Sequence, residues 1–127
     1  MDKVLVDTDI LIDYSKGFSG LLQKLFELQK KQKVELFINP VITAEYFTDQ
    51  NLAIKSKFNK AVKFLEFFRM VNINKEIGIL AGRLSREKMV SYLGDSLIAA
   101  TCLQGKLKLA TRNKKHFKNV KDLNFYN

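Results

Sequence analysis

At 127 residues the chain has the length of one ordinary domain, and 46% apolar and 28% charged residues give it the composition of a folded globular protein, excluding disordered and collagen-like classes. Its 22 Lys and Arg against 13 Asp and Glu leave a formal charge of +9, which favours a polyanionic partner but leaves nucleic acid, a membrane surface and an acidic protein all open. Cys102 is the only cysteine, so an intrachain disulfide and a cage of several thiolates are excluded and an intracellular chain is expected.

The chain opens Met1-Asp2-Lys3-Val4-Leu5-Val6-Asp7. Acids on both sides of so short an apolar run fit neither a secretion signal nor a spanning helix, so a cytoplasmic location with no membrane partner is the expectation. Val4 to Val6 reads as a buried parallel strand ended by Asp7. A helix is predicted over Asp9 to Tyr14, capped by Asp7 or Thr8, with Ile10, Leu11 and Tyr14 at helical spacing and Gly17 as its break. From Ser19 to Lys33, Leu21, Leu22, Leu25, Phe26 and Leu28 form the apolar stripe of an amphipathic helix.

Leu36 to Ile38 is the second predicted strand. Asn39-Pro40 breaks it and starts a helix over Val41 to Phe47 that contains Glu45. The pattern predicts a long helix over Leu52 to Phe68, a third strand over Met70 to Ile73 and a helix over Lys75 to Lys88. Ser91 to Gly94 links into a helix from Asp95 to Gln104, which Gly105 ends. Leu107 to Thr111 is a fourth strand, and Asn124 to Tyr126 a candidate fifth at an edge. Strands alternating with helices predict an α/β fold with a parallel sheet covered on both faces. No repeat, low-complexity tract or linker divides the chain, so residues 1–127 are read as one domain.

Three acids stand out by position: Asp7 after the first strand, Glu45 in the helix after the second, and Asp95 opening a helix. Residues beyond the carboxyl ends of parallel strands converge on one crevice, so the three can share a site. Crowded carboxylates repel unless a cation supplies the missing charge, and an all-oxygen set favours Mg²⁺ or Mn²⁺ over Zn²⁺. Taken singly, each acid reads more readily as a helix cap without catalytic work.

Local sequence changes that balance. Asp7-Thr8-Asp9-Ile10-Leu11-Ile12-Asp13 resembles the opening motif of PIN-domain nucleases, and Val41-Ile42-Thr43-Ala44-Glu45-Tyr46 is similar to their second. Gly94-Asp95-Ser96-Leu97-Ile98-Ala99-Ala100-Thr101 resembles the third, and Leu109-Ala110-Thr111-Arg112-Asn113-Lys114-Lys115-His116-Phe117 the fourth. The resemblance implies a three-layer α/β/α sandwich with a central parallel sheet of four to five strands. It implies a ribonuclease that holds Mg²⁺ or Mn²⁺ with Asp7, Glu45 and Asp95 and hydrolyses RNA phosphodiesters with a metal-activated water, Asn113 orienting that water. The short form with its Thr-Arg-Asn run most resembles VapC toxins, which implies a VapB-like antitoxin as partner and a homodimer.

Asn113 stands where many relatives carry a fourth acid, and Asp9, turned inward, would restore the lost charge. Thr8, Ser96 and Thr111 flank the acids and serve either as caps or as supports for a carboxylate or a bound water. His116 reads as a surface contact and Cys102 as core. Between Lys106 and Lys121 the chain carries seven cations and no acid, and Arg112, Lys114 and Lys115 beside Asn113 are read as phosphate contacts to RNA. A signalling receiver module, the rival of similar length, needs an Asp after a middle strand, where Asn39 and Asn74 stand. An RNA-processing nuclease and a catalytically silent RNA- or protein-binding module of the same fold are the alternatives, and the intact acids argue against silence. Phe58, Phe64, Phe67 and Phe68 exceed what one sheet face can cover, so an antitoxin groove on the two amphipathic helices is expected, with burial by a neighbouring helix or a second copy as the alternative.

Overall fold

A computed structural model of the chain describes residues 1–18 and 20–127, so the predicted start of the second helix at Ser19 lies outside the described residues. Four strands, β1 (Asp2–Val6), β2 (Val34–Ile38), β3 (Arg69–Met70) and β4 (Lys108–Ala110), pair in the order β3-β2-β1-β4, all parallel. Among the described residues six helices flank them: α1 (Thr8–Ser15), α2 (Leu21–Lys30), α3 (Pro40–Tyr46), α4 (Lys55–Leu65), α5 (Lys75–Arg86) and α6 (Leu93–Gly105). Successive strand residues point to opposite faces, yet Val4, Leu5 and Val6 are each 0% exposed, so helices cover both faces of the central strand. This is the expected three-layer sandwich.

The chain builds outward from β1 to β2 to β3, then returns to lay β4 on the other side of β1. The strand order therefore reverses between β1 and β4, the place where open parallel sheets form a crevice. The register Val6↔Ala110, continued by the Asp7 N–H donating to the Ala110 carbonyl at 2.9 Å, ends both strands at the same level.

Several boundaries differ from expectation. The predicted helix over Leu52 to Phe68 divides: the Asp49 carboxylate caps a short 3₁₀ turn at Gln50–Ala53, Ile54 is extended, and α4 starts only at Lys55. The third strand is two residues long and lies earlier than predicted. After Val71 donates to the Ile38 carbonyl, the chain leaves the sheet edge, and Asn74 caps α5 through its bond from the Ile77 N–H. The first turn of α6 begins at Leu93, which places Asp95 inside it, and Gly105 stays helical while Lys106 takes the left-handed conformation (φ 55°). Asn124 to Tyr126 is reduced to a parallel bridge, Leu109↔Phe125. Cys102 is buried as expected, and burial pushes its thiol pKa up, so it is unreactive core.

Candidate active site

Asp7 is the N-cap of α1, where its Oδ1 accepts the Thr8 N–H at 2.8 Å. Its Oδ2 accepts the Thr111 hydroxyl at 2.7 Å. That second bond crosses from the end of β1 to the end of β4, so the carboxylate is fixed at the point where the strand order reverses. Capping and site-lining are thus both true of Asp7.

Glu45 arrives from α3, where its Oε1 accepts the Thr8 hydroxyl at 2.6 Å. Asn39, fully buried, sets the placement of that helix: its Oδ1 caps the Ile42 N–H at 2.9 Å and its Nδ2 donates to the Thr101 hydroxyl of α6 at 3.0 Å. One side chain therefore ties the helix carrying Glu45 to the helix carrying Asp95. Gly94 stands against Glu45, where a Cβ would lie 3.4 Å from Oε2, an ordinary contact distance.

Asp95 lies in the first turn of α6, with His116 Nδ1 3.3 Å from its Oδ2. Asp9 does turn inward: its Oδ2 accepts the Arg112 N–H at 3.1 Å and lies 3.4 Å from the Thr111 hydroxyl, while its Oδ1 is buried with no partner. Asn113 donates its own N–H to Thr111 Oγ1 at 3.1 Å, and its side chain does not cap the 3₁₀ turn that follows. Asp7, Asp9, Glu45, Asp95, Asn113 and His116 all line one open cleft of about 540 Å³.

The expected supports divide. Thr8 and Thr111 bond to carboxylates, whereas Ser96 is fully buried and pairs with Ser85 at 2.7 Å, joining α6 to α5 and not reaching the acids. Arg112 pairs with Asp13 at 2.7 Å, and Lys114 is engaged by Asn127 and the Phe125 ring. Among the described residues, Lys115 makes no ion pair. His116 is exposed, as the sequence led one to expect, and the 3₁₀ turn that follows Asn113 also brings it to face Asp95, which the sequence did not show. Sequence reasoning also passed over Tyr92 and Thr48, which line the cleft without any acid or base to mark them.

Burial above all, then repulsion from Asp9 and Asp95, pushes Asp7 up to about 6, although the bonds from Thr111 and Thr8 oppose the rise. Asp9 is also raised, chiefly by burial and against the pull of Arg112. A cation would relieve both. Among the described residues no three His, Cys, Asp or Glu side chains stand close enough together to hold a metal ion between them; the acids lining the cleft nonetheless offer oxygen ligands only, the kind that Mg²⁺ takes. The unpartnered Asp9 Oδ1 and the all-oxygen donor set fit that description.

The PIN domain family profile matches residues 4–123. The chain is 32% identical over 124 residues to ribonuclease VapC1 of Methanocaldococcus jannaschii, covering 94% of this chain and 82% of that protein. Its fold is similar to DNA-bound VapBC from Salmonella typhimurium (TM-score 0.82, 19% identity, covering 99% of this chain and 98% of that one). It is equally similar to VapBC2 of Rickettsia felis bound to a promoter DNA fragment (TM-score 0.80, 20% identity, 98% of each chain).

Proposed function

The chain belongs to the PIN-domain family, and from that premise we propose that it is a divalent-metal-dependent endoribonuclease acting as the toxin of a VapBC-like pair. The observation that carries the reading is the convergence of Asp7, Glu45, Asp95 and Asn113 on one cleft, with Asp7 raised by burial first and by the neighbouring carboxylates after it. Asp7, Glu45 and Asp95 would hold the ion, Mg²⁺ or Mn²⁺, with Asp9 as the additional charge. What such an ion supplies when bound is Lewis acidity, which acidifies water and offsets charge developing on the phosphate.

The chain's own residues prepare that chemistry. Thr111 and the Thr8 N–H hold both oxygens of Asp7, and the Thr8 hydroxyl holds Glu45, so these carboxylates are aimed before substrate arrives. The Asn113 amide, unused as a cap, orients the attacking water. Lys115 meets a phosphate directly, with Arg112 and Lys114 contributing as they exchange Asp13 and Asn127 for RNA. Cleavage of a single-stranded RNA should stop in EDTA and return with added Mg²⁺ or Mn²⁺; undiminished cleavage in EDTA would remove the metal from the mechanism.

The antitoxin is proposed to bind a groove of about 800 Å³ beside the cleft, lined by Tyr14, Tyr46, Leu52 and Phe64 and sharing Ile12, Glu45 and Thr48 with the acidic site. That continuity lets an apolar helix seated in the groove extend a basic side chain to the carboxylates. Phe64 itself stacks on Tyr14 and packs against Phe26, Tyr46 and Phe68, so it also holds the helices together, while Phe67 is 60% exposed and is absent from the groove lining. Leu52→Glu is therefore the clean probe: it should weaken capture of the protein encoded beside this gene at least about tenfold with little change in melting temperature. Equal capture by the variant would rule the groove out. A homodimer belongs to the same reading.

A further inference from the structure

Next to the acidic cleft lies a second, smaller hollow of about 280 Å³, and the two share Tyr92, Asp95 and His116 as their common wall. The far side of the hollow carries Lys88, Lys115 and Lys118. Among the described residues none of these three ammonium groups pairs with a carboxylate, although Arg69, Lys108 and Arg112 elsewhere on the surface do. The ring of Tyr92 is 66% exposed, and its one ring contact among the described residues is a tilted approach to His116 at 6.2 Å between centroids. An exposed aromatic face between a carboxylate site and unpaired cations is the arrangement by which proteins hold a single strand: a base on the ring, the backbone on the lysines.

Lys88 stands just past the end of α5, as Gln32 and Lys106 stand past the ends of α2 and α6 with the same left-handed backbone. It follows α5 with φ 59°, in the left-handed conformation where helices usually place Gly, and it closes the helix end as the Lys88 N–H bonds Ser85 and the Met89 N–H bonds Leu84.

We propose that this hollow is the subsite for the nucleotides flanking the cut, with Tyr92 stacking the base beside the scissile phosphate and Lys88, Lys115 and Lys118 holding the following phosphates. The inference rests on the ribonuclease reading and adds to it the residues that grip the strand beside the cut, a grip that a duplex evades because its bases have no free face for Tyr92. Three phosphate contacts on a single strand contribute about two units to the slope of log K against log salt.

The test uses the whole chain in EDTA, with a labelled 12-nucleotide unstructured RNA titrated at several salt concentrations, and melting followed in parallel. Lys88→Gly with Lys118→Gln should flatten the salt slope by about one unit or more, and Lys88→Gly should leave the melting temperature equal or higher, since Gly relieves the backbone. Tyr92→Ala should raise Kd at least about fivefold while leaving the salt slope unchanged. Unchanged affinity and slope in these variants, with wild type still cleaving RNA in Mg²⁺ or Mn²⁺, would overturn the subsite and leave the nuclease standing. Loss confined to duplex DNA binding would overturn it equally, by giving the hollow a different ligand. Failure of wild type to cleave any RNA would strike the ribonuclease reading itself.

Discussion

Asp7→Asn is expected to abolish RNA cleavage and, in the same molecule, to make the metal-free fold more stable at neutral pH. The two effects share one cause. Asp7 is buried among carboxylates and pushed from 3.8 up to about 6, so between those values the folded chain holds its proton more tightly than the unfolded chain does. Stability from this group is full below about pH 4, falls as pH rises towards about 6, and stays reduced above. A displacement of that size corresponds to roughly 3 kcal/mol, which the uncharged amide escapes. Asn keeps an oxygen for the Thr8 N–H but loses an acceptor towards Thr111, so a net gain of about 1–2 kcal/mol is expected at pH 7.5. Cleavage should fall at least about a thousandfold, the equivalent of losing about 4 kcal/mol of ion-dependent stabilisation. Added Mg²⁺ should raise the melting temperature of wild type and leave that of the variant unmoved. Melting in EDTA across pH 4 to 8 reads the first effect: wild type should lose more stability towards neutral pH than Asp7→Asn, which keeps only the contribution of the raised Asp9. Parallel profiles, or a variant that still cleaves, would sink the account.

Those residues were legible because their positions follow from chain direction alone. Val4-Leu5-Val6 is apolar without alternation, which marks a strand covered on both faces, and Asp7 follows at its carboxyl end, where parallel sheets open their crevice. Asp95 reads the same way, as an acid near a helix start that returns to that edge, whereas Glu45, expected early in its helix, stands one residue from the end of α3 and reaches the site from there. What stayed hidden depends on contacts between distant segments. Nothing in the local pattern distinguishes Thr111, bonded to Asp7 across 104 positions, from Ser96, whose hydroxyl joins two helices. Arg112 and Lys114 look free in a run without acids, yet Asp13 and Asn127 engage them from remote parts of the chain. Asn39 read as a breaker and a reason against another fold; its buried bond to Thr101 exists only once α3 packs on α6. The split of the long predicted helix was hidden differently, because Asp49 caps a short turn within a stretch whose apolar spacing stays helical.

Thr111 concentrates more of the site's order than any acid does, and Thr111→Val is expected to cost both fold and activity where Thr111→Ser costs little of either. Its hydroxyl donates to Asp7 Oδ2 at 2.7 Å and accepts the Asn113 N–H at 3.1 Å, in a position only 6% exposed. Valine fills the same volume without the oxygen, leaving a carboxylate oxygen and a backbone N–H short of a partner in a place water reaches poorly. A loss of about 2 kcal/mol follows from those orphaned groups. The bond also lowers the Asp7 pKa, so its removal should push that carboxyl still higher and shift the pH at which metal-free stability declines upward, a change that a purely structural defect would not produce. Cleavage should fall about ten- to a hundredfold, the usual consequence of removing a group that aims a metal-binding carboxylate. Because Asn113 is set by the same hydroxyl, kcat should fall more than KM changes. Serine keeps the oxygen and loses only a methyl, so it should recover most of the rate and restore the wild-type pH profile. Melting at pH 5 and pH 7.5 together with cleavage kinetics in Mg²⁺ separates the cases, and a valine variant matching wild type in both would show that Asp7 and Asn113 are held in place by something other than Thr111.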